Sequence, residues 1–197
     1  MQTVAMTKPI QKRAIATREK LLSAANTLIS EQGFDALRVE EVVGTAGVAK
    51  GTFFAHFKDK DALLEQIIGA RLADITEAMA QPPAPQSIAE MIARLAPLIA
   101  FTTSERRVFD VMIRYSGAAA VAEIGPIAEQ FDTQILLYGR WASEGPFRRD
   151  AAPELLGEGI SAFLIQAIAL TFCALNSQEA LETRLTAYLT AWLLPQE

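Results

Sequence analysis

The stretch VEEVVGTAGVAKGTFFAHF, from Val39 to Phe57, constrains this chain more than any other. It reads as two short helices joined by a tight turn. Val39, Val42 and Val43 recur at helical spacing and give the first helix an apolar face. Gly47 falls where the chain must reverse, and glycine reaches positive φ without steric cost. Phe53 and Phe57 are four apart and share one face of the second helix. Val43 before the glycine and Phe53 after it have the spacing with which a helix-turn-helix closes on a small core. The other face of the second helix carries Lys50, Gly51, Thr52, Phe54, Ala55 and His56. A short helix that presents a lysine, a hydroxyl and a histidine among small residues suits a DNA major groove.

The segment AGVAKGTFFAHFKDKDALL closely resembles the recognition segment of the tetracycline-repressor (TetR) family of transcriptional regulators. TREKLLSAANTLISEQGF, from Thr17 to Phe34, resembles that family's first helix. The resemblance implies an all-α chain of about nine helices, with a three-helix DNA-binding head and a larger helical body for ligand and dimer. It makes Thr17 and Arg18, at the start of the first helix, candidate phosphate contacts. Lys50, Gly51, Thr52, Phe54, Ala55 and His56 become candidate groove contacts, with His56 facing a phosphate or a base edge. Lys60 adds charge beside the free N–H groups of a fourth helix that Asp59 can cap. Three positions depart from the family pattern. Arg38 and Ala49 stand where a Ser or Thr usually caps the two helices, each cap being worth about 1 kcal/mol. Arg38 offers a charge to a phosphate instead. Phe54 replaces a tyrosine, keeping the stacking surface without the hydroxyl.

The net charge of −5 argues against a nucleic-acid partner until its distribution is read. Residues 1–60 hold nine Lys/Arg and six Asp/Glu, while residues 61–197 hold nine and seventeen. All the lysines (Lys8, Lys12, Lys20, Lys50, Lys58 and Lys60) lie in the first part. A basic head on an acidic body is the pattern of a DNA reader with a separate regulatory part.

Four regions are expected in order. Residues 1–16 form a flexible basic arm carrying Lys8, Lys12 and Arg13. Residues 17–60 form the helix-turn-helix domain, its first helix capped by Thr17 and ended at Gly33 by a left-handed glycine. Residues 61–80 form a connecting helix with Leu64, Ile68, Leu72, Ile75 and Met79 on one stripe. QPPAPQ, from Gln81 to Gln86, cannot continue it. Residues 81–197 form the ligand-binding and dimerisation domain, with helices near 87–101, 104–116, 126–144, 153–175 and 178–194. Ser104 and Ser177 read as N-caps, and Pro126 and Pro153 as first-turn prolines.

The stretch from Gly159 to Gln178 has no charged residue and is long enough to span a membrane, but Gln166, Thr171 and Asn176 and the lack of a Lys/Arg flank favour a buried helix. With the last helix it would pair with a second copy as a four-helix bundle, the mode of dimerisation the resemblance implies. Phe163, Ala167, Leu170, Leu185, Leu189 and Trp192 are the expected contacts. Two heads so held would read a near-palindromic DNA operator. Phe101, Phe109, Met112, Tyr115, Phe131, Tyr138 and Trp141 are candidates for an effector cavity, because the resemblance implies a small-molecule site between the central helices.

The single cysteine, Cys173, excludes an internal disulfide and a cysteine-based zinc site, and it sits on an apolar stretch as a small hydrophobe. The N-terminus lacks an apolar signal segment, so a cytoplasmic location is expected. No nucleophile–base arrangement, phosphate-cradling loop or metal-spaced cluster appears in the sequence. The expectation is a ligand-released repressor with no cofactor and no metal; the alternatives are a constitutive DNA-binding protein without an effector and, least favoured, an enzyme.

Overall fold

The computed structural model describes residues 7–117, 124–175 and 178–195, with side chains described from residue 12 onward. Among these residues the fold is all-α, as the sequence implies, with nine helices and no strand. They are α1 (Thr7–Ala36), α2 (Val39–Ala46), α3 (Lys50–His56), α4 (Lys60–Ala80), α5 (Ile88–Thr103), α6 (Arg106–Tyr115), α7 (Pro126–Glu144), α8 (Pro153–Thr171) and α9 (Leu181–Leu193). The chain divides into two compact units, Met1–Ile67 and Ile68–Glu197, so the boundary falls within α4.

In the first unit α1 packs on α2, and α2 on α3. Leu21, Ala25, Val42 and Phe53 have no exposed surface, and Phe57 and Leu37 are nearly as buried. Gly47 takes the left-handed conformation (φ 66, ψ 37), and its N–H and that of Val48 close the end of α2 on Gly44 and Val43. A side chain there would meet no neighbour but would strain the backbone.

Helix α1 starts ten residues earlier than Thr17. Thr17 therefore caps nothing; its hydroxyl donates to the Arg13 carbonyl at 2.8 Å inside the helix. The residues ahead of it lack an apolar stripe, but several are good helix formers and Pro9 falls in the first turn, where it is tolerated. Gly33 does break the helix with positive φ, yet in an extended conformation (φ 85, ψ 173) after which one more turn follows. Asp59 caps α4 as expected, its Oδ1 accepting from the Ala62 N–H at 2.8 Å.

In the second unit α8 packs on α7, α9 and α5, and α5 also contacts α6 and α9. Helix α8 is long and apolar enough to cross a membrane by length and composition. Here its buried residues, Leu156, Ile160, Leu164, Ala167 and Ile168, serve the body's core. The approach of α7 to α8 is set by two glycines: a Cβ on Gly139 would lie 2.8 Å from the Pro153 carbonyl oxygen, and one on Gly157 would lie 2.8 Å from the Gly139 nitrogen. Pro126 and Pro153 take first-turn positions. Ser104 is a correction: it ends α5, its hydroxyl donating to the Phe101 carbonyl, and Glu105 precedes α6. Ser177 lies outside the described residues.

The expected contact face of the last two helices also needs correction. Ala167, Leu185 and Leu189 have no exposed surface within a single protomer, so they are not available to a second copy. Phe163, Leu170 and Trp192 are half-buried; the Phe163 ring lies against Tyr188 and Trp192, whose Nε1 donates to the Leu156 carbonyl at 3.2 Å. Helical spacing identified the stripe but not which side of it the protomer's own core would claim. The exposed apolar positions are instead Leu155 and Ala162 on α8 and Ala187 and Ala191 on α9.

Candidate nucleic-acid interface

Helix α3 is held from one side only. Phe53 is fully buried, Phe57 lies 5.6 Å from it ring to ring, and the Arg18 guanidinium sits 4.4 Å above the Phe57 ring. Arg18 also donates from Nη1 to the His56 carbonyl at 3.3 Å, tying α1 to the end of α3. The opposite face is open. Lys50, Gly51, Phe54 and Ala55 are exposed, and Thr52 and His56 are half-buried beside them. Phe54 leaves half its surface in solvent and meets Phe53 edge-on at 5.3 Å. The six candidates on α3 are thus brought together on one surface.

The flanking candidates fare differently. Arg38 is exposed and immediately precedes α2; it provides no side-chain cap, its carbonyl accepting instead from Glu41 and Val42 N–H groups. Ala49 likewise precedes α3 without a side-chain cap. Lys60 donates to the Leu37 carbonyl at 3.1 Å, bracing the start of α4 against the entry to α2. A contact that the sequence reading missed joins the two short helices: Lys50 Nζ lies 2.6 Å from Glu40 Oε1, both side chains being more than half exposed. The hydrogen bond from Lys50 holds the Glu40 carboxyl below its usual range, and the lysine's charge acts in the same direction. Its only sequence signal is a ten-residue separation across a turn, which helical periodicity does not reveal.

In the body, the aromatic candidates do not line one space. Met112 and Phe131 border a cavity of about 20 Å³ together with Leu98, Thr102, Gln134 and Ser161. That is room for about one water and far below a typical ligand pocket. Tyr138 and Trp141 are fully buried against each other at 5.5 Å, Phe109 lies 5.7 Å from Phe172, and Phe101 and Tyr115 are half-buried. The larger concavities are open: a groove of about 470 Å³ between α4 and α7, lined among others by Ala73, Thr76, Leu136 and Arg140, and one of about 330 Å³ between α4 and α5. Thr76 lines the first groove and Gln134 the small cavity, and the Gln134 amide donates to the Thr76 hydroxyl at 2.9 Å between them. Among the described residues no three His, Cys, Asp or Glu side chains gather into a metal-binding group.

The profile of the bacterial regulatory proteins of the tetR family matches residues 21–67, which hold most of α1, all of α2 and α3 and the start of α4. The HTH-type transcriptional repressor BepR of Brucella suis biovar 1 is 31% identical over 122 residues, 59% of this chain and 58% of its own. The HTH-type transcriptional regulator YvdT of Bacillus subtilis is 41% identical over 56 residues, 28% and 29% of the two chains. In structure, Thermus thermophilus FadR, a TetR family transcriptional repressor solved in complex with lauroyl-CoA, matches with a TM-score of 0.64 over 91% of this chain and 96% of that one. Over residues 21–67 the chain is thus similar to the tetR family of bacterial regulatory proteins.

The alignment spans less than three-fifths of either curated relative, and the FadR match, at 20% identity, speaks to the fold alone. Both curated relatives are named as HTH-type transcriptional regulators, YvdT as an uncharacterised one. Within the body, Tyr138 stands out because its hydroxyl is buried with no hydrogen-bond partner among the described residues, as is Trp141 Nε1. Burial pushes the Tyr138 phenol well above its ordinary value near 10. Keeping this phenol neutral carries no cost below pH 10, but above it the unfolded chain ionises and the folded one does not, so stability falls with rising pH. Replacing Tyr138 by phenylalanine removes the unpartnered hydroxyl. It should raise stability by about 1 kcal/mol and blunt the loss above pH 10, as read by thermal melts across pH 8–11.

Proposed function

We propose that this protein is a sequence-specific DNA-binding transcriptional regulator, acting as a repressor that a small molecule releases from its operator. The observation that carries the reading is the open face of α3, with Lys50, Gly51, Thr52, Phe54, Ala55 and His56 exposed or half-exposed on a helix that Phe53 and Phe57 anchor from behind. An α-helix of this kind fits a major groove, with Arg18 and Arg38 beside it for phosphates. Residues 17–60 serve as the DNA head, 61–80 as the connection and 81–197 as the effector and dimer part. Pairing through α8 and α9, by way of exposed positions such as Ala162 and Ala187, sets two heads on a near-palindrome. The protein works in the cytoplasm, where its DNA is.

An apolar effector would enter the α4–α7 groove, part the Thr76–Gln134 hydrogen bond and enlarge the small cavity behind it. FadR was solved in complex with lauroyl-CoA, a ligand that carries an apolar acyl chain on a polar, anionic carrier. Because α4 belongs to both units, an effector that favours one placement of α4 shifts the population of DNA-competent heads. The cavity's size favours a second reading, a DNA-binding regulator without an effector.

Replacing Lys50 and His56 together by alanine should abolish selective binding while leaving the helical content and melting temperature unchanged, since neither side chain is buried. Gel-shift titration against a selected duplex reads this; unaltered affinity of the double variant would refute the assignment. Screening for ligands that raise the melting temperature and displace that duplex decides between the two readings.

A further inference from the structure

The geometry points to Glu40 and Lys50 as a joint specificity element that reads a G·C pair in the major groove, Lys50 donating to guanine and Glu40 accepting from cytosine. This rests on the DNA-binding reading above and adds to it which base pair is recognised and by which residues of this chain.

The starting point is a carboxylate where a DNA-binding surface least favours one. Glu40 is on α2, in its first turn, yet it lies against the first residue of α3, 2.6 Å from the ammonium of Lys50. A lone acid on this face would be repelled by phosphates. Paired with Lys50 it is neutralised and forms a donor and an acceptor side by side, a hydrogen-bond length apart.

A base pair offers the complement. In the major groove guanine presents two adjacent acceptors, N7 and O6, and its cytosine presents the N4 amino donor beside O6. Read across, a G·C pair is acceptor, acceptor, donor. An ammonium with three donors next to a carboxylate supplies donor, donor, acceptor in the same order. An A·T pair alternates acceptor, donor, acceptor and adds the thymine methyl. There the ammonium can donate to adenine N7 while the carboxylate accepts from N6, but the second donor then finds no acceptor, and a carboxylate placed as on G·C faces the O4 acceptor of thymine. The pair therefore discriminates by pattern, and Glu40 also fixes the flexible Lys50 chain toward one base step instead of toward any phosphate.

Both side chains are more than half exposed, so removing either leaves the head folded. Selection from a randomised duplex library with wild type, E40Q, E40A and K50A, followed by anisotropy titrations against the selected and a scrambled duplex at one salt concentration, tests the idea. Wild type should fix one G·C pair in each half-site. E40Q, E40A and K50A should each relax that same pair, lowering the ratio of selective to non-selective binding about fivefold or more. A double variant should relax it no further. Glu40 variants should in addition bind the scrambled duplex more tightly. Should E40A retain the wild-type preference at every position, or should the wild-type site contain no required G·C pair, the joint element is overturned while the DNA reading stands. Should wild type enrich no sequence, both fall.

Discussion

Replacing Phe53 by alanine should unfold the head. The ring has no exposed surface, touches Phe54 edge-on and Phe57 at a tilt, and belongs to a helix that packs on α2. Truncating a buried phenylalanine costs about 3–5 kcal/mol, and a unit of this size has little more than that to lose. Helicity by circular dichroism should fall at 25 °C by about the share that α1–α3 contribute, and selective DNA binding should vanish with it. Phe54→Ala, one residue on, is the control. Half of that ring is in solvent, so the substitution should leave the fold intact and weaken only the surface that α3 presents. Equal loss of structure in the two variants would mean that the α3 faces are assigned the wrong way round.

The second large effect is expected far from that face. Gly157→Ala places a methyl against the Ile135 carbonyl and the Gly139 nitrogen, both backbone atoms of α7. A side chain in the way could rotate; a helix backbone cannot. Helices α7 and α8 must separate, and since α8 also carries α5 and α9, the loss spreads through the body. A cost of about 3 kcal/mol or more follows, at the upper end for overpacking, read as a melting temperature lowered by several degrees. Gly44→Ala gives the contrast. No atom lies within 4 Å of the added methyl, the residue is helical and exposed, and the same change should stabilise by roughly 0.5–1 kcal/mol. Alanine for glycine thus has opposite signs at two helical positions, according to whether another helix's backbone fills the space.

The head was legible because its signals are local. A turn glycine, a pair of phenylalanines four apart and a cap at Asp59 each act within one turn of chain, and Gly47, Phe53, Phe57 and Asp59 all take the places their spacing implies. The expected start of α1 went wrong for the complementary reason. Periodicity marks where a helix is buried, not where it begins, and residues 7–16 are helical without an apolar stripe. The body's aromatics are expected as lining of one effector cavity, and nothing in their spacing says that Tyr138 meets Trp141 while Phe109 meets Phe172.

The sequence by itself therefore determined the element types, the helix-turn-helix and which face of α3 is open, because hydrophobic spacing and backbone preference decide these within a few residues. Only the tertiary structure decided which apolar stripe of α8 and α9 the protomer keeps for itself, that Gly139 and Gly157 bring α7 and α8 into backbone contact, and that Glu40 reaches Lys50 across the turn. Those outcomes depend on which surfaces meet in space. Packing at that level is a competition among distant segments, and no window of sequence contains both competitors.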